Sequence, residues 1–528
     1  MESSAQERQA PYGLEQIVGD IARSIQLRIE KRLHEALACI DGILEKVPHF
    51  APCLLNRAAI LADLGRYEEG LADCKKYIAH APADPGAMQI RDNMRDAAIA
   101  FFRQKLAADP HDTDALFRRA NVHLHSGDPA QAEREYAALL RLNEGHQGAL
   151  ANQAYALLAL DRHEEALAAY ERLRVLNPGD AFNHYNRGNV LKDLGRAGAA
   201  LAAYRQAVLL KPDLAEARVE IGFHQLVASE FAQGWPWLEW RWAGRAMKPH
   251  YLKTAQPPWL GDSDAAGKTI LVWAEQGLGD SIQFARFVPL LADIAGQVVL
   301  RVPATLVALL QSLDRRVRVI GEEESLPAFD CHCPLMSLPL ALGMKRMPPM
   351  PQAQRFVPDP AREGHWQAWL GPRLRPRIGL AWSGKQVGHL NPTRDMPPAA
   401  LLPLADIDAD FICLQKDISA ADADLLAHLP GWRAPGRSLS DFADTAALIA
   451  QLDLVVSVDT SVAHLAGALG QPCFLLLRHS GEWRWLSGRA DTPWYPSMRI
   501  LRQRARGDWA GVVAELRGEL RQAMSRTL

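Results

Sequence analysis

The sequence predicts an α-helical superhelix followed by an α/β region with two doubly wound lobes, and three observations lead to this fold class. First, small residues recur through the first 245 residues, mostly at intervals of 34. Second, after residue 245 short β-branched runs alternate with helical stretches, as expected for parallel sheets covered by helices. Third, residues 345–360 are rich in Met and Pro and separate two sets of strands. The length of 528 residues leaves room for three or four domains at about 150 residues each.

The repeat signal consists of small residues at matching positions, followed twelve residues later by a proline in most units. The small residues are Ala36, Gly70, Ala98, Ala132, Ala166 and Ala200, and the prolines are Pro48, Pro82, Pro110, Pro178 and Pro212. Each unit is predicted to form two amphipathic helices joined by a turn. The third unit, near residues 85–112, is short and is predicted to have a clipped first helix. Because one helix pair cannot bury its own apolar face, neighbouring pairs must stack into a superhelix.

The unit at residues 181–212 resembles the tetratricopeptide repeat. The residues that carry the resemblance are Gly188, Gly195, Ala200, Tyr204, Ala207 and Pro212. An array of such repeats is a curved scaffold with a concave groove that usually binds peptide or protein. A polypeptide partner is therefore expected.

Two features of the array have open interpretations. Asn183, Asn186 and Asn189 fall on one predicted helix, where they either bind an extended backbone through amide hydrogen bonds or are ordinary exposed polar positions. Residues 235–242 contain four tryptophans. This segment is either a capping helix that docks its aromatic face on the next domain or a platform on which a sugar stacks.

Seven short runs after the repeats are predicted to be buried parallel strands. They are Thr269–Ala274, Val298–Val302, Val317–Ile320, a run that starts at Arg377, Asp410–Leu414, Leu454–Val458 and Cys473–Leu477. The predicted domains are a repeat superhelix over residues 1–243, a linker over 244–267, an N-terminal lobe over 268–372, and a C-terminal lobe with a terminal helix over 373–528. Ligands of doubly wound sheets bind outside the carboxyl ends of the strands, which here means the cleft between the lobes.

The loop after the first strand, residues 275–281, carries a candidate catalytic carboxylate. Gly277 and Gly279 let the backbone turn tightly and approach a ligand. Asp280 is expected at the start of a helix, where it is either only an N-cap or both a cap and a catalytic group in the cleft. The loop matches a dinucleotide fingerprint poorly, because Ile282 stands where the third glycine belongs.

The loop after residues 454–458 is a candidate anion site. A strand ends in Asp459, and the helix that begins there has free N–H groups from Thr460 onward, which suit a phosphate. His464 lies one helical turn beyond Thr460 on the same face. It either reaches a diphosphate or a ribose, or it caps the local turn.

Several blocks of the C-terminal region resemble the heptosyltransferase-like glycosyltransferases of family 9, in the version fused to tetratricopeptide repeats. The blocks are QGLGDSIQFARFVPLL, RIGLAWSG, LNPTRDMP, FICLQKD, DFADTAALIAQLDLVVSVDTSVAHLAGALGQP and DTPWYPSMRI. The resemblance extends over residues 235 to 515. It implies the GT-B fold, in which two Rossmann-like lobes face each other, with the acceptor on the N-terminal lobe and the nucleotide sugar on the C-terminal lobe.

The resemblance also implies roles for individual residues. Asp280 is the general base on the acceptor hydroxyl, in an acceptor-side loop with Gln276, Gly277 and Gly279. Arg394 neutralises the leaving diphosphate, at a position where family members that act on lipopolysaccharide often have lysine, and arginine suits phosphate equally well. The remaining donor-binding residues are Ser383, Gly384, Gln415, Lys416, Asp459, Thr460, Ser461 and His464.

Composition argues against several classes of protein. A formal net charge of −2 disfavours a protein that coats nucleic acid. No apolar stretch reaches 18 residues, so no membrane span is expected, and the N-terminus lacks the apolar region of a secretory signal. The seven scattered cysteines are typical of reduced thiols in a cytoplasm. Cys331-His332-Cys333, the one cluster, lacks the second ligand pair of a zinc site.

The resemblance to family 9 implies a glycosyltransferase with a nucleotide sugar as substrate and no cofactor, and we expect its reaction to be metal-independent and inverting. Asp408-Ala409-Asp410 precedes a strand, so it does not provide the metal-binding Asp-x-Asp motif of a cleft. The repeats favour a polypeptide acceptor, and the resemblance extends in outline to flagellin-modifying transferases. One alternative is a non-catalytic repeat scaffold with a vestigial transferase domain. Another is heptosyl transfer to lipopolysaccharide, although enzymes of that kind seldom carry repeats.

Overall fold

The computed structural model describes residues 14–47, 50–81, 84–346, 356–384, 394–480 and 482–525. Contacts divide the chain into two compact units, residues 1–194 and 195–528. This division falls inside the predicted repeat region, and the predicted boundaries after residues 243, 267 and 372 stay a prediction. Pro48, Pro82 and most of the predicted interlobe segment 345–360 lie outside the described residues.

The first unit is a row of helices in which consecutive members pack against each other. In its described residues these are α1 (Leu14–Ile29), α2 (Leu33–Lys46), α3 (Ala51–Asp63), α4 (Tyr67–His80), α5 (Pro85–Ala108), α6 (Thr113–His125), α7 (Pro129–Leu142), α8 (Gln147–Ala159), α9 (His163–Leu176) and α10 (Ala181–Asp193). The recurring small residues lie in the contacts: Ala36, Ala132 and Ala166 have no exposed surface. At Gly70 a Cβ would lie 2.7 Å from the Sδ of Met94, so only glycine permits this approach.

The third repeat unit differs from the prediction. α5 is one continuous helix of 24 residues, so the expected clipped first helix and turn are absent and that prediction is wrong. Met94, Ala98 and Phe102 are buried at intervals of four residues along α5, and no glycine or proline follows Gly86 within it. The apolar stripe therefore continues through the place where a turn was expected.

The second unit begins with three further helices and continues into a first α/β lobe. The helices are α11 (Ala197–Leu210), α12 (Ala215–Val227) and α13 (Phe231–Leu238). The lobe contains the strands β1 (Thr269–Trp273), β2 (Gln297–Val302), β3 (Val317–Gly321) and β4 (Cys331–Pro334), all parallel, in the order β3-β2-β1-β4. Around it lie α14 (Leu278–Phe284), α15 (Val288–Ala292), α16 (Ala304–Leu310), α17 (Leu338–Ala341) and α18 (Pro360–Leu370).

The second lobe is built on another parallel sheet, with the order β6-β5-β7-β8-β9. Its strands are β5 (Arg377–Ala381), β6 (Asp410–Cys413), β7 (Leu454–Val458), β8 (Cys473–Leu477) and β9 (Met498–Arg502). Its helices are α19 (Ala420–Leu426), α20 (Phe442–Ile449), α21 (Ser461–Leu469) and α22 (Trp509–Ser525). In the first sheet the chain adds β2 and β3 on one side of β1 and then places β4 on the other side. In the second sheet it adds β6 on one side of β5 and then places β7 on the other side. These reversals open crevices at the carboxyl ends of the strands, where doubly wound sheets bind ligands.

All seven predicted strands are present, and each end lies within one residue of its predicted position. β4 and β9 were not predicted. β4 contains the Cys331-His332-Cys333 cluster, and the indole N–H of Trp273 lies 3.2 Å from Nδ1 of His332. Alternate residues of a strand point to opposite faces, so the histidine lies on the other face from the two cysteines.

The predicted linker is partly built into the first lobe. Trp259 is buried, and its backbone N–H donates to the carbonyl of His332 at 2.8 Å. The N–H of His332 in turn donates to the carbonyl of Pro257 at 3.1 Å. Residues 257–259 therefore extend the sheet beside β4.

The tryptophan-rich segment docks on both lobes. Trp235 is 3% exposed and packs edge-on against Phe284 of the first lobe and Trp483 of the second. Trp242 contacts Trp273 of β1. The docking interpretation is confirmed for these two side chains, and the alternative that the segment stacks a sugar stays a prediction.

Candidate functional site

The loop between β1 and α14 holds Asp280 in the first turn of a helix. Gly277 is the N-cap of α14, and Oδ2 of Asp280 accepts a hydrogen bond from the Gly277 N–H at 3.0 Å. Asp280 therefore stabilises the start of the helix from its third position, and the interpretation of this residue as the N-cap itself is wrong. Gln276 and Gly277 are exposed.

Arg484 of the second lobe pairs with Asp280 across the lobe boundary. Its Nη2 donates to Oδ1 of Asp280, and the two side chains are only 12% and 18% exposed. Its Nη1 lies 3.5 Å from Oε2 of Glu482. Burial opposes the charged form of Arg484, but the carboxylates of Asp280 and Glu482 outweigh burial and raise its pKa. Asp280 thus has a donor on each carboxylate oxygen.

The start of α21, at the carboxyl end of β7, has no side-chain cap. Thr460 occupies the N-cap position, but its side chain accepts no hydrogen bond from the first turn. Its Oγ1 instead lies 3.0 Å from Oγ of Ser457. Backbone N–H groups at an uncapped helix start are suited to bind an anion.

The first turns of α14 and α21 meet at Gly279. A Cβ at this position would lie 2.8 Å from Cδ2 of His464 and 3.4 Å from the Cα of Ser461. Only glycine allows the two helices, one from each lobe, to approach so closely. The loops predicted to bind acceptor and donor therefore meet at one point of the lobe boundary.

His464 is buried, with 4% of its surface exposed. Its Nδ1 lies 3.1 Å from Oη of Tyr495, its ring stacks on Trp485 at 4.9 Å, and its Nε2 lies 4.0 Å from Oδ1 of Asp459. The turn-capping interpretation of His464 is wrong, because the ring nitrogens face these side chains. Burial and the nearby positive charge of Arg484 lower the pKa of His464 well below its usual value, so the imidazole is neutral.

The carboxyl group of Asp459 has a pKa well above its ordinary value. Burial and the negative charge of Glu482 raise the pKa of Asp459 to about 6, against the opposing attraction of Arg484 and Arg394. Asp459 is therefore ionised at neutral pH and takes up a proton in mildly acidic solution.

Gly384 lies between Arg394 and Thr460 at the carboxyl ends of β5 and β7. A Cβ at Gly384 would lie 3.2 Å from Cζ of Arg394 and 3.3 Å from Cγ2 of Thr460. The N–H of Gly384 donates to Oδ1 of Asp395 at 3.0 Å, and Nε of Arg394 lies 3.8 Å from the same oxygen. A guanidinium group is thus held beside the uncapped start of α21.

Gln415 ties the loop after β6 to the loop after β5. Its Oε1 accepts hydrogen bonds from the N–H groups of Trp382 and Ser383 at 2.7 and 3.0 Å, and its Nε2 donates to Oγ of Ser383 at 2.8 Å. Lys416 donates to the carbonyl of Ser440 at 3.3 Å. Both side chains shape this edge of the crevice, and their predicted contact with a nucleotide stays a prediction.

The structure gathers most of the predicted site residues around the meeting point of α14 and α21. These are Gly279, Asp280, Gly384, Arg394, Asp459, Thr460, Ser461 and His464. Sequence reasoning missed Arg484, Glu482, Trp485 and Tyr495. Tyr495 lies in the DTPWYPSMRI block, which could have pointed to it, whereas nothing in the sequence marks Arg484 apart from its two tryptophan neighbours.

Two further features are absent from the described ranges. No three His, Cys, Asp or Glu side chains there form a group that could hold a metal ion. No helix in those ranges is long and apolar enough to cross a membrane.

Comparison with known families agrees with this architecture. Tetratricopeptide repeat profiles match residues 89–143, 117–181 and 183–214. The profile "Glycosyltransferase family 9 (heptosyltransferase)" matches residues 438–508, which include α20, β7 and α21. The chain therefore combines a region that matches tetratricopeptide repeats with a later segment that matches the family 9 glycosyltransferase profile.

Individual proteins are similar at low identity. Protein FlbA of Caulobacter vibrioides is 26% identical in an alignment of 458 positions that covers 81% of this chain and 70% of that protein. The structure of an E. coli ADP-heptose lps heptosyltransferase II has a TM-score of 0.35 and 16% identity, and covers 48% of this chain and 99% of its own. A crystal structure of MamA protein has a TM-score of 0.28 and 22% identity, and covers 31% of this chain and 91% of its own.

Proposed function

We propose that this chain is a glycosyltransferase that moves a sugar from a nucleotide sugar to a polypeptide acceptor recruited by its repeats. The observation that carries the proposal is the meeting of three groups at the lobe boundary: the guanidinium of Arg394, the uncapped start of α21 and the carboxylate of Asp280. A departing nucleoside diphosphate needs positive charge, and an attacking hydroxyl needs a base. All three groups lie at the carboxyl ends of parallel strands, where this class of sheet binds its ligands.

In the proposed reaction Asp280 accepts the proton of the acceptor hydroxyl while the hydroxyl oxygen bonds to the anomeric carbon of the donor sugar. The bond from that carbon to the diphosphate breaks on the opposite face, and its electron pair leaves with the nucleoside diphosphate. Arg394 and the first N–H groups of α21 stabilise the leaving charge. A single displacement of this kind inverts the configuration of the sugar, and the proposal includes no metal and no cofactor.

The environment of His464 and Asp459 supports a role in holding the donor. The neutral His464 adds no charge beside the donor site, and the ionised Asp459 accepts hydrogen bonds from hydroxyl groups. Together they complement the sugar and ribose of a nucleotide sugar, while Arg394 complements its diphosphate.

The polypeptide acceptor is supported by the repeat array. The alignment with Protein FlbA covers 81% of this chain, which is more than the second unit alone, so the similarity extends into the first unit. All seven cysteines are unpaired thiols, which is consistent with the cytoplasmic location included in the proposal.

A thermal-shift screen tests the donor half of the proposal. Full-length chain is heated with ADP-, GDP-, UDP- and dTDP-linked sugars and with the free nucleotides. A true donor at a hundred times its Kd stabilises the folded state by about 2.7 kcal/mol, so the Tm rises by several degrees. Arg394→Ala removes a charge-assisted contact worth about 1.5–3 kcal/mol and should weaken donor binding tenfold or more.

Arg504→Ala is the matched control, because it removes an arginine of the same lobe that is 87% exposed. It should bind the donor like the wild type. Equal donor affinity in wild type and Arg394→Ala would contradict the assignment of Arg394, and a screen in which no compound raises the Tm would favour the non-catalytic scaffold.

A further inference from the structure

The pair formed by Asp280 and Arg484 joins the two lobes at the proposed reaction centre. Asp280 belongs to α14 of the first lobe, and Arg484 belongs to the 3-10 turn Trp483–Trp485 that follows β8 in the second. Arg484 therefore touches the proposed base directly, and its partner atom is Oδ1, while Oδ2 is held by the Gly277 N–H. With both oxygens held, the carboxylate has one fixed orientation.

Arg484 is fixed in turn by an aromatic cluster. Its guanidinium lies 4.6 Å from the ring centre of Trp483, whose indole is 4% exposed. Trp483 stacks on Phe223 of α12 with ring centres 5.7 Å apart, and Trp235 of α13 packs against its edge at 6.0 Å. A chain of direct contacts thus runs from the repeat-like helices α12 and α13, through Trp483, to Arg484 and Asp280.

A second contact ties the same helical segment to the loop that carries Asp280. Arg241 follows α13 and forms two hydrogen bonds with Glu275, at 2.8 and 2.9 Å, and both side chains are almost completely buried. Glu275 also accepts a hydrogen bond from the backbone N–H of Met336 at 3.0 Å. The segment 215–241 therefore contacts the Asp280 loop through Glu275 and contacts Arg484 through Trp483.

We propose that Arg484 is a positioning residue for Asp280, and that the last repeat helices keep it in place through Trp483. The inference rests on the proposed function, since Asp280 must be the base. A general base acts only when its oxygen is within hydrogen-bond reach of the hydroxyl, and a displacement of 1 Å costs about a hundredfold in rate. Arg484 supplies that placement from the opposite lobe.

The test uses full-length chain and the nucleotide sugar that raises the Tm most in the screen above, with water as the acceptor. Release of nucleoside diphosphate at saturating donor measures the rate, and calorimetric titration measures the donor Kd. Arg484→Gln should lower the rate between tenfold and a hundredfold with a Kd within twofold of wild type. Arg484→Lys keeps the charge but loses the planar fork, so its rate should fall between the two.

A double-mutant cycle separates positioning from a general structural effect. If Arg484 acts only through Asp280, the variant with both Asp280→Asn and Arg484→Gln should be no slower than Asp280→Asn alone. Phe223→Leu, which keeps an apolar side chain but removes the stacking on Trp483, should slow release severalfold and should add nothing in the Arg484→Gln background. Arg489→Gln, in an exposed pair with Asp491 of the same lobe, is the matched control and should behave as wild type.

Several results would overturn the inference. They are an unchanged or higher rate in Arg484→Gln, a double variant slower by the product of the two single effects, and a tenfold weaker donor Kd with an unchanged rate. The last result would mean that Arg484 binds the donor diphosphate. A wild type that neither binds nor cleaves any donor removes the proposed function as well, whereas an active wild type with an unaffected Arg484→Gln removes this inference alone.

Discussion

Burial and neighbouring charges shift the pKa values of His464 and Asp459 at the proposed site. His464 loses its charge because its buried ring lies near Arg484, whereas Asp459 keeps a carboxylate whose pKa is raised to about 6 by burial and by Glu482. Side chains with shifted pKa values are common at binding and catalytic sites. They also make the stability of the fold depend on pH.

Asp459→Asn should stabilise the protein above pH 6 and have no such effect near pH 4. The folded carboxyl has a pKa of about 6, above its ordinary 3.8, so between these values the folded state binds a proton that the unfolded chain releases. This group therefore makes unfolding easier as pH rises from about 4 to 6, and an uncharged amide removes that penalty. The expected difference at pH 8 is about 1–3 kcal/mol in the free energy of unfolding, measured by urea unfolding.

Asp406→Asn is the control of opposite sign. Arg517 and Arg521 hold Asp406, and the hydrogen bond from Arg517 lowers the pKa of Asp406 to about 2. Its contribution is present above pH 3.8 and is lost as pH falls through 2, so this variant should be less stable than wild type at pH 8. If Asp459→Asn is also less stable at pH 8, the described environment of Asp459 is wrong.

The repeat helices depend on one backbone conformation in the turn within each helix pair. Gly65 and Gly127 have φ values of 72° and 89°, and Lys31 and Asp161 take the same left-handed conformation at the equivalent places, each with φ of 63°. The turn needs this conformation whichever residue occupies it. Glycine adopts it without strain, whereas a side chain is penalised by about 1–2 kcal/mol.

Gly65→Ala should therefore lower the stability of the full chain by about 1–2 kcal/mol. Gly42→Ala is the matched control, because Gly42 lies inside α2 and a Cβ there would have no atom within 4 Å. Alanine in a helix interior is better than glycine, so Gly42→Ala should raise stability by about 0.5–1 kcal/mol. Thermal unfolding that moves in the same direction for both variants would contradict this assignment of the turn.

Elements with a regular pattern could be predicted from the sequence, and elements defined by tertiary contacts could not. β7, with the run LVVSV, shows its burial in its composition, whereas β4, with CHCP, becomes a strand because Trp273 and residues 257–259 lie beside it. The prediction of a clipped helix and a turn within α5 was wrong because the repeat pattern was applied to this segment. Its apolar residues continue at helical spacing without a break.

The same division applies to the site. Gly279, Thr460 and His464 could be found because motifs carry them. Arg484 could not be found, because its importance arises only when the second lobe meets Asp280, and no local sequence pattern encodes that contact. The contacts of His464 with Trp485 and Tyr495 could not be predicted from the sequence either.

In the second unit, the helices that precede the α/β lobes are part of the core on which the lobes depend. Leu226, Trp235 and Leu238 are at most 3% exposed and belong to the same buried cluster as the first lobe. Arg241 neutralises the buried Glu275. The folded unit that contains the two α/β lobes therefore includes these helices.

A fragment that starts at residue 244 should fail to fold stably, while one that starts at residue 195 should fold. The shorter fragment exposes the cluster around Trp235 and leaves Glu275 without its partner, and removing one partner of a buried ion pair costs about 3–5 kcal/mol. We expect aggregation or a broad transition for residues 244–528 and one sharp thermal transition for residues 195–528. A stable, cooperative 244–528 fragment would contradict the docking of these helices.

If the repeats recruit the acceptor, residues 195–528 should bind the donor with the affinity of the full chain but modify little protein. The comparison is made in an extract of the cells that produce the chain, with labelled nucleotide sugar and gel detection of labelled protein. Labelling by residues 195–528 that equals labelling by the full chain would contradict recruitment by the first unit.

The measurement that tests the central claim most directly is sugar transfer by Asp280→Asn in that same extract, beside its donor Kd. A general base contributes about 10²–10⁴-fold to the rate, and asparagine cannot take the proton although it can still accept the hydrogen bond from Gly277. We predict that labelling falls by at least a hundredfold while the donor Kd stays within twofold of wild type. Transfer by Asp280→Asn at the wild-type rate would contradict the account of this site as a glycosyltransferase centre with Asp280 as its base.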